Sequence, residues 1–148
     1  MSNKVIWITG GSSGIGKALA YKFANEGWQV AISARREELL TEISKSNNNI
    51  HSFPLDVLDS EKCKDVFNKI VGKFGNIDIV FFSTGIHDPK SEKKLNLEKI
   101  RIIIETNFFG TINCINSVYN YFKEKKSGHI SIVSSVAGYR GLPAGGAY

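Results

Sequence analysis

Strand-like and helix-like segments alternate along this chain, and that alternation limits its fold more than any other feature. Val5-Ile6-Trp7-Ile8 is a short apolar run of β-formers that ends at Thr9-Gly10-Gly11. Helical spacing follows from Ile15 to Glu26, with Ile15, Ala18, Leu19 and Phe23 sharing a face, and Gly27 stops it. The pattern predicts a second strand over Gln29 to Ala34, a helix over Glu37 to Lys45 and a third strand over Ile50 to Leu55. Cys63, Val66, Phe67, Ile70, Val71 and Phe74 then form a helical stripe closed by Gly75. A fourth strand is predicted over Ile77 to Phe82, and residues 84–95 read as a loop. From Leu97 the longest helix is expected, its stripe running through Ile100, Ile103, Ile104, Asn107, Phe108, Thr111, Ile112, Ile115, Tyr119 and Phe122. Gly128 marks its exit, Ile130 to Val133 is the fifth strand, and the Gly-rich remainder has no clear period.

Strands that alternate with helices of this length require parallel crossovers, which are right-handed in nearly all proteins. The strands are continuous apolar runs rather than alternating ones, so both faces of the sheet are expected to be covered. The predicted class is therefore α/β, a doubly wound parallel sheet with five strands. At 148 residues, one domain spanning 1–148 is the expectation.

The first strand-to-helix turn reads Thr9-Gly10-Gly11-Ser12-Ser13-Gly14-Ile15-Gly16. Gly10 permits a tight exit from the strand. Gly14 lets the backbone approach a pyrophosphate, and Gly16 lets the helix lie close to the sheet. The helix N-terminus adds free N–H groups and partial positive charge, and Ser12 and Ser13 supply hydroxyl donors. Out of context, such a turn is equally a tight loop with an N-cap serine. Here it follows the first strand and opens a helix in a βαβ unit, the setting a dinucleotide fingerprint requires.

The end of the second strand decides between dinucleotides. An acid there would accept from a ribose 2′-hydroxyl and favour NAD(H). The chain has Ser33-Ala34-Arg35-Arg36, with no acid before Glu37. Two guanidinium groups suit a dianionic 2′-phosphate, so Arg35 and Arg36 point to NADP(H) in preference to NAD(H). The plainer alternative is a pair of surface arginines that begin a helix.

Other classes are disfavoured. The net charge of +5 is spread evenly, with ten Lys/Arg against eight Asp/Glu in residues 1–74 and nine against six in 75–148. A nucleic-acid partner is not expected, because no basic stripe forms. Lys123 to Lys126, interrupted by Glu124, reads as a solvated helix end. No apolar run approaches the roughly 20 residues of a membrane span, and no signal peptide is evident. Cys63 and Cys114 sit at apolar positions of separate helices and read as buried free thiols in a reducing cytoplasm. No Cys/His cluster has metal spacing, and His51, His87 and His129 lack a partner motif.

Thr9-Gly10-x-x-x-Gly14-Ile15-Gly16, taken with features further on, resembles the short-chain dehydrogenase/reductase family across the whole chain. Asp56-Val57 after the third strand is similar to the family's adenine-binding Asp segment. Asn107, with Gly110 three residues later, resembles its helix-four asparagine. Ile130 to Gly138 resembles its fifth strand, with Ser135 as the catalytic serine, and Tyr148 lies 13 residues beyond at the spacing of the catalytic tyrosine. Gly85 is what remains of the family's Asn-Asn-Ala-Gly segment, here Phe82-Ser83-Thr84-Gly85. Phe82 cannot make the bond by which an asparagine ties strand four into the sheet, so weaker local anchoring is expected there.

The resemblance implies an NADP(H)-dependent oxidoreductase that interconverts a carbonyl and a secondary alcohol. Ser135 would polarise the substrate oxygen, Asn107 would hold a relay water, and Tyr148 would exchange the proton. The family's Tyr-x-x-x-Lys motif would place a lysine four residues past Tyr148, the last residue given. A phenol with a pKa near ~10 depends on such a cation for base work at neutral pH. The chain as given is therefore expected to be inactive and to form the front of a longer enzyme. A homo-oligomer is expected through the long helix. The rival readings are a nucleotide-binding module or an interaction protein that has lost the chemistry, the latter mildly favoured by Phe82.

Overall fold

A computed structural model describes residues 4–87 and 96–141. Five strands, β1 (Val5–Thr9), β2 (Gln29–Ser33), β3 (Ile50–Ser52), β4 (Ile79–Phe82) and β5 (His129–Ile132), form one parallel sheet in the order β3-β2-β1-β4-β5. Between them run α1 (Gly14–Asn25), α2 (Glu37–Lys45), α3 (Ser60–Phe74), α4 (Leu97–Ile104) and α5 (Gly110–Lys125). The expected doubly wound parallel sheet is observed. Val5 and Trp7 join a core with α3 and α5 residues, including Phe67, Ile70, Cys114 and Val118. Ile6 and Ile8 point into a second core with Ala20, Ala24, Leu40 and Ile43. The sheet is thus covered on both faces, as its continuous apolar strands dictate.

Several boundaries differ from the sequence reading, each for a local reason. β3 stops at Ser52, although the N–H groups of Phe53 and Leu55 still donate to Ile32 and Ala34. Pro54 between them has no N–H to give. β4 begins at Ile79, because the Ile77 backbone is claimed by α5. Its N–H donates to Tyr121 Oη at 3.0 Å, and its carbonyl accepts from Lys125 Nζ at 2.7 Å. Lys125 is therefore tied down at the helix end, while Lys123 and Lys126 remain exposed.

The buried face of α1 is also not the predicted one. Gly16, Ala20 and Ala24 lie against the sheet, while Ile15 is 62% exposed and Leu19 and Phe23 are only half-buried. A line of small residues at every fourth position draws the helix close to the strands.

The long helix is not continuous. A π turn over Glu105–Phe109 separates α4 from α5. The buried line runs Ile103, Thr106, Gly110, Cys114 and Val118. Ile104, Phe108, Ile112 and Tyr119, expected in the stripe, lie exposed. The extra residue of a π turn shifts the phase of everything after it.

Candidate functional site

β1 and β4 are neighbours, and their crossovers leave on opposite sides of the sheet. Ligands of doubly wound proteins bind in the crevice beyond the carboxyl ends of the strands at this reversal. A cavity of about 610 Å³ opens there. Its wall contains Gly10, Ser12, Ser13, Gly14, Ile15, Gly16, Arg35, Arg36, Asp56, Val57 and Gly85. Four loops, each following a strand, thus bring together every residue that the sequence nominated for a dinucleotide.

The glycine turn has distinct demands at each position. Gly10 has φ +69°, and a Cβ on it would lie 2.8 Å from the Ser83 carbonyl oxygen. A Cβ on Gly16 would lie 2.5 Å from the Gly10 carbonyl oxygen and 2.8 Å from Ser83 Oγ. Gly14 has φ +54°, yet a Cβ there would meet nothing within 4 Å. Gly10 and Gly16 therefore serve packing within the protein, whereas Gly14 keeps an open approach to the turn. Ser13 is the N-cap of α1, and its side chain makes no cap bond. The first-turn N–H groups of α1 have no carbonyl in their own helix to meet.

The cationic wall is built at the end of β2. Arg36 Nη2 donates to Ser12 Oγ at 3.1 Å and to Ser13 Oγ at 3.0 Å. One guanidinium thereby bridges to the glycine turn while remaining exposed. Arg35 lies exposed on the same wall. Trp7 fixes the strand beneath, donating from Nε1 to Ser33 Oγ at 2.9 Å within the core. Across the cavity, Asp56 Oδ1 accepts from the Leu58 N–H at 3.1 Å, which closes the loop after β3. Val57 is buried, and its carbonyl accepts from Asn113 Nδ2 at 3.0 Å.

The β4 exit is anchored differently from the expectation. Phe82 makes no polar tie and instead packs edge-on to Trp7, with ring centroids 5.9 Å apart. The tie comes from the next residue, because Ser83 Oγ donates to the Thr9 carbonyl at 2.6 Å. The anticipated weakness is therefore compensated one position along.

Asn107 lies within the π turn and grips one backbone unit with both ends of its amide. Its Oδ1 accepts from the Ile86 N–H at 2.8 Å, and its Nδ2 donates to the Ile86 carbonyl at 2.9 Å. A Cβ on Gly85 would come within 3.6 Å of Asn107 Oδ1. Asn107 thus shapes the wall through Ile86 rather than lining it. Ser135 stands apart from the lining residues. It caps a 3₁₀ turn over Val136–Gly138, its Oγ accepting from the Ala137 N–H at 3.1 Å. Tyr148 lies outside the described residues.

Residue-level reading missed Ala34, Leu55, Ser83, Thr84, Ile86 and Thr106, all of which line the cavity. Ser83, Thr84 and Ile86 flank Gly85 and were available by adjacency. Thr106 required the phase of the π turn.

The family model for short chain dehydrogenases matches residues 4–148. The chain belongs to this family. An oxidoreductase of Listeria monocytogenes is 37% identical over 152 residues, with 100% of this chain and 61% of the relative aligned. Mouse dehydrogenase/reductase SDR family member 7 is 29% identical, with 100% of this chain and 46% of the relative covered. Among solved structures, ElxO with NADP bound superposes with a TM-score of 0.89 at 31% identity, covering 99% of this chain and 61% of ElxO. A short chain dehydrogenase from Bacillus anthracis gives 0.90 at 29% identity, covering 96% and 61%. This family chain therefore spans about three fifths of the Listeria relative's length. Among the described residues no helix is long and apolar enough to cross a membrane, and no cluster of potential metal ligands occurs.

Proposed function

We propose that the protein carrying this chain is an NADP(H)-dependent oxidoreductase that interconverts a carbonyl and a secondary alcohol. The observation that carries this reading is the position of Arg35 and Arg36. Both stand on the wall of the cavity at the end of β2, where a ribose 2′-substituent would lie, and Arg36 is held by Ser12 and Ser13. A dianionic phosphate would meet two cations and two hydroxyls there. The residues fit the rest of a dinucleotide as well. Gly14 leaves open space over the N-terminus of α1, which suits a pyrophosphate. Asp56 and Val57 would flank the adenine, and Gly85 would leave room for its ribose.

When bound, the nicotinamide supplies the hydride exchange. In this reading Ser135 would donate a hydrogen bond to the substrate oxygen, and Tyr148 would exchange the proton with it. Asn107 commits one lone pair of Oδ1 to Ile86, and the second is available to a relay water. The exposed apolar side chains of Ile104, Phe108, Ile112 and Tyr119 support an assembly with a second copy. Buried free thiols and a charge spread without a basic stripe support a cytoplasmic protein with no nucleic-acid partner.

Fluorescence titration with NADPH and NADH tests the reading. Arg35→Asp is expected to weaken NADPH binding at least tenfold and to spare NADH. Equal loss of both would remove Arg35 from 2′-phosphate recognition. In the full-length protein, Tyr148→Phe should abolish turnover and keep NADPH affinity. NADPH binding with no turnover of any carbonyl by the unmodified protein would favour the binding-module alternative.

A further inference from the structure

Cys63 and Cys114 are separated by 51 residues and lie on different helices, α3 and α5, yet their sulfurs are 4.0 Å apart. Both are free and buried. They sit where the two helices meet beneath the cavity wall. Cys63 Sγ is 3.7 Å from the Val57 carbonyl oxygen, the same oxygen that accepts from Asn113. One turn earlier on α5, a Cβ on Gly110 would lie 2.5 Å from Val57 Cγ2. Gly110 and Asn113 therefore hold α5 against Val57 on the turn that presents Cys114, which keeps the two sulfurs facing each other.

We propose that Cys63 and Cys114 form an oxidisable dithiol that hydrogen peroxide closes to a disulfide, pinning α3 to α5 beside Val57. A disulfide has an S–S length of about 2.05 Å, so the sulfurs must approach by about 2 Å. The oxidant must be small, because both thiols are buried. In the first step the Cys63 sulfur attacks a peroxide oxygen. An S–O bond forms, the O–O bond breaks, and the Cys63 proton leaves with the departing oxygen as water. In the second step the Cys114 sulfur attacks the Cys63 sulfur. The S–S bond forms, the S–O bond breaks, and the hydroxyl takes the Cys114 proton as a second water. Two electrons pass from the dithiol to the peroxide. The first attack falls to Cys63 because its sulfur lies 3.7 Å from the carbonyl oxygen of Val57, a residue of the cavity wall, while burial pushes the Cys114 thiol up.

The test is peptide mapping of the wild-type protein after treatment with stoichiometric hydrogen peroxide. Remaining thiols are alkylated in denaturant before digestion. A cross-linked pair containing Cys63 and Cys114 is expected, about 2 Da lighter than the reduced pair and reversed by dithiothreitol. Its rate of formation should not depend on protein concentration. Recovery of both cysteines as alkylated thiols would overturn the proposal. So would their recovery as separate sulfinic acids, or a cross-link that forms only between molecules. The wild-type protein suffices, so the result does not depend on whether a cysteine variant folds, nor on the cofactor assigned above.

Discussion

Ser83 Oγ donates to the Thr9 carbonyl at 2.6 Å, joining the exit of β4 to the last residue of β1. The bond lies directly under the glycine turn, because the same Oγ is one of the atoms a Cβ on Gly16 would meet, at 2.8 Å. Sheet stability and turn geometry therefore pass through one hydroxyl. Ser83→Ala should cost about 1 kcal/mol in urea denaturation, the usual worth of a neutral hydrogen bond. Ser83→Thr, which restores the hydroxyl, should recover part of the loss if its methyl group finds space. An unchanged urea midpoint in Ser83→Ala would show that the tie carries no stability.

Gly16 and Gly14 differ in the reason they are glycine, and alanine separates the two. Gly16→Ala drives a methyl group onto the Gly10 carbonyl and should destabilise the fold by about 2 kcal/mol, as overpacking does. Gly14→Ala meets no atom and pays only for its positive φ, about 1 kcal/mol. Its larger effect should appear in NADPH titration, since the methyl group would occupy the open approach. Equal stability losses in the two variants would contradict this division.

Asn107 holds both polar groups of the Ile86 backbone. Asn107→Ala strands both and should cost about 2 kcal/mol or more. Asn107→Asp keeps the acceptor but loses the donor to the Ile86 carbonyl, so an intermediate loss is expected. Hydrogen exchange at the Ile86 amide reports the clamp directly. Protection that survives in Asn107→Ala would show that Ile86 is held by something else.

His51 titrates on the edge strand β3. Its ring packs at 5.1 Å from Phe74, and Nε2 lies 2.9 Å from Gln29 Oε1. Burial first, and the Lys73 charge second, hold its pKa below the usual 6.5. The neutral form is therefore favoured by folding. Well above 6.5 neither the folded nor the unfolded chain is protonated at this site, and its contribution does not vary with pH. As pH falls through 6.5 the unfolded chain takes a proton that the folded chain resists, so stability is lost on the acid side. Urea midpoints should fall more for wild type than for His51→Gln when pH drops from about 7.5 to about 5.5. An imidazole titration by NMR at or above 6.5 would sink the prediction.

The sheet was legible from sequence because β1, β2 and β4 are short apolar runs, and their length separates them from the longer segments with helical spacing that follow them. The cavity wall was legible because glycines and arginines occupy positions where backbone shape and charge leave few alternatives. What escaped was carried by side chains that replace backbone partners. Tyr121 and Lys125 take up Ile77 and delay β4, and no local pattern announces that. The π turn escaped for a related reason, since one period fitted across Leu97 to Phe122 averages two faces that are out of register. The anchoring of β4 is not legible at Phe82 because the tie is carried by the Ser83 hydroxyl, and a serine after a strand has no pattern that announces such a bond.

The phase change between α4 and α5 also bears on what each half can bury. A straight α-helix from Leu97 to Lys125 would carry one face along its whole length. A π turn inserts a slip of about 100° in phase, the angular share of a single residue. The slip falls where Asn107 grips Ile86, so the change of face is placed at the wall it shapes. The side that α5 turns to α3 is thereby set by this one residue as well as by the period of the helix that carries it.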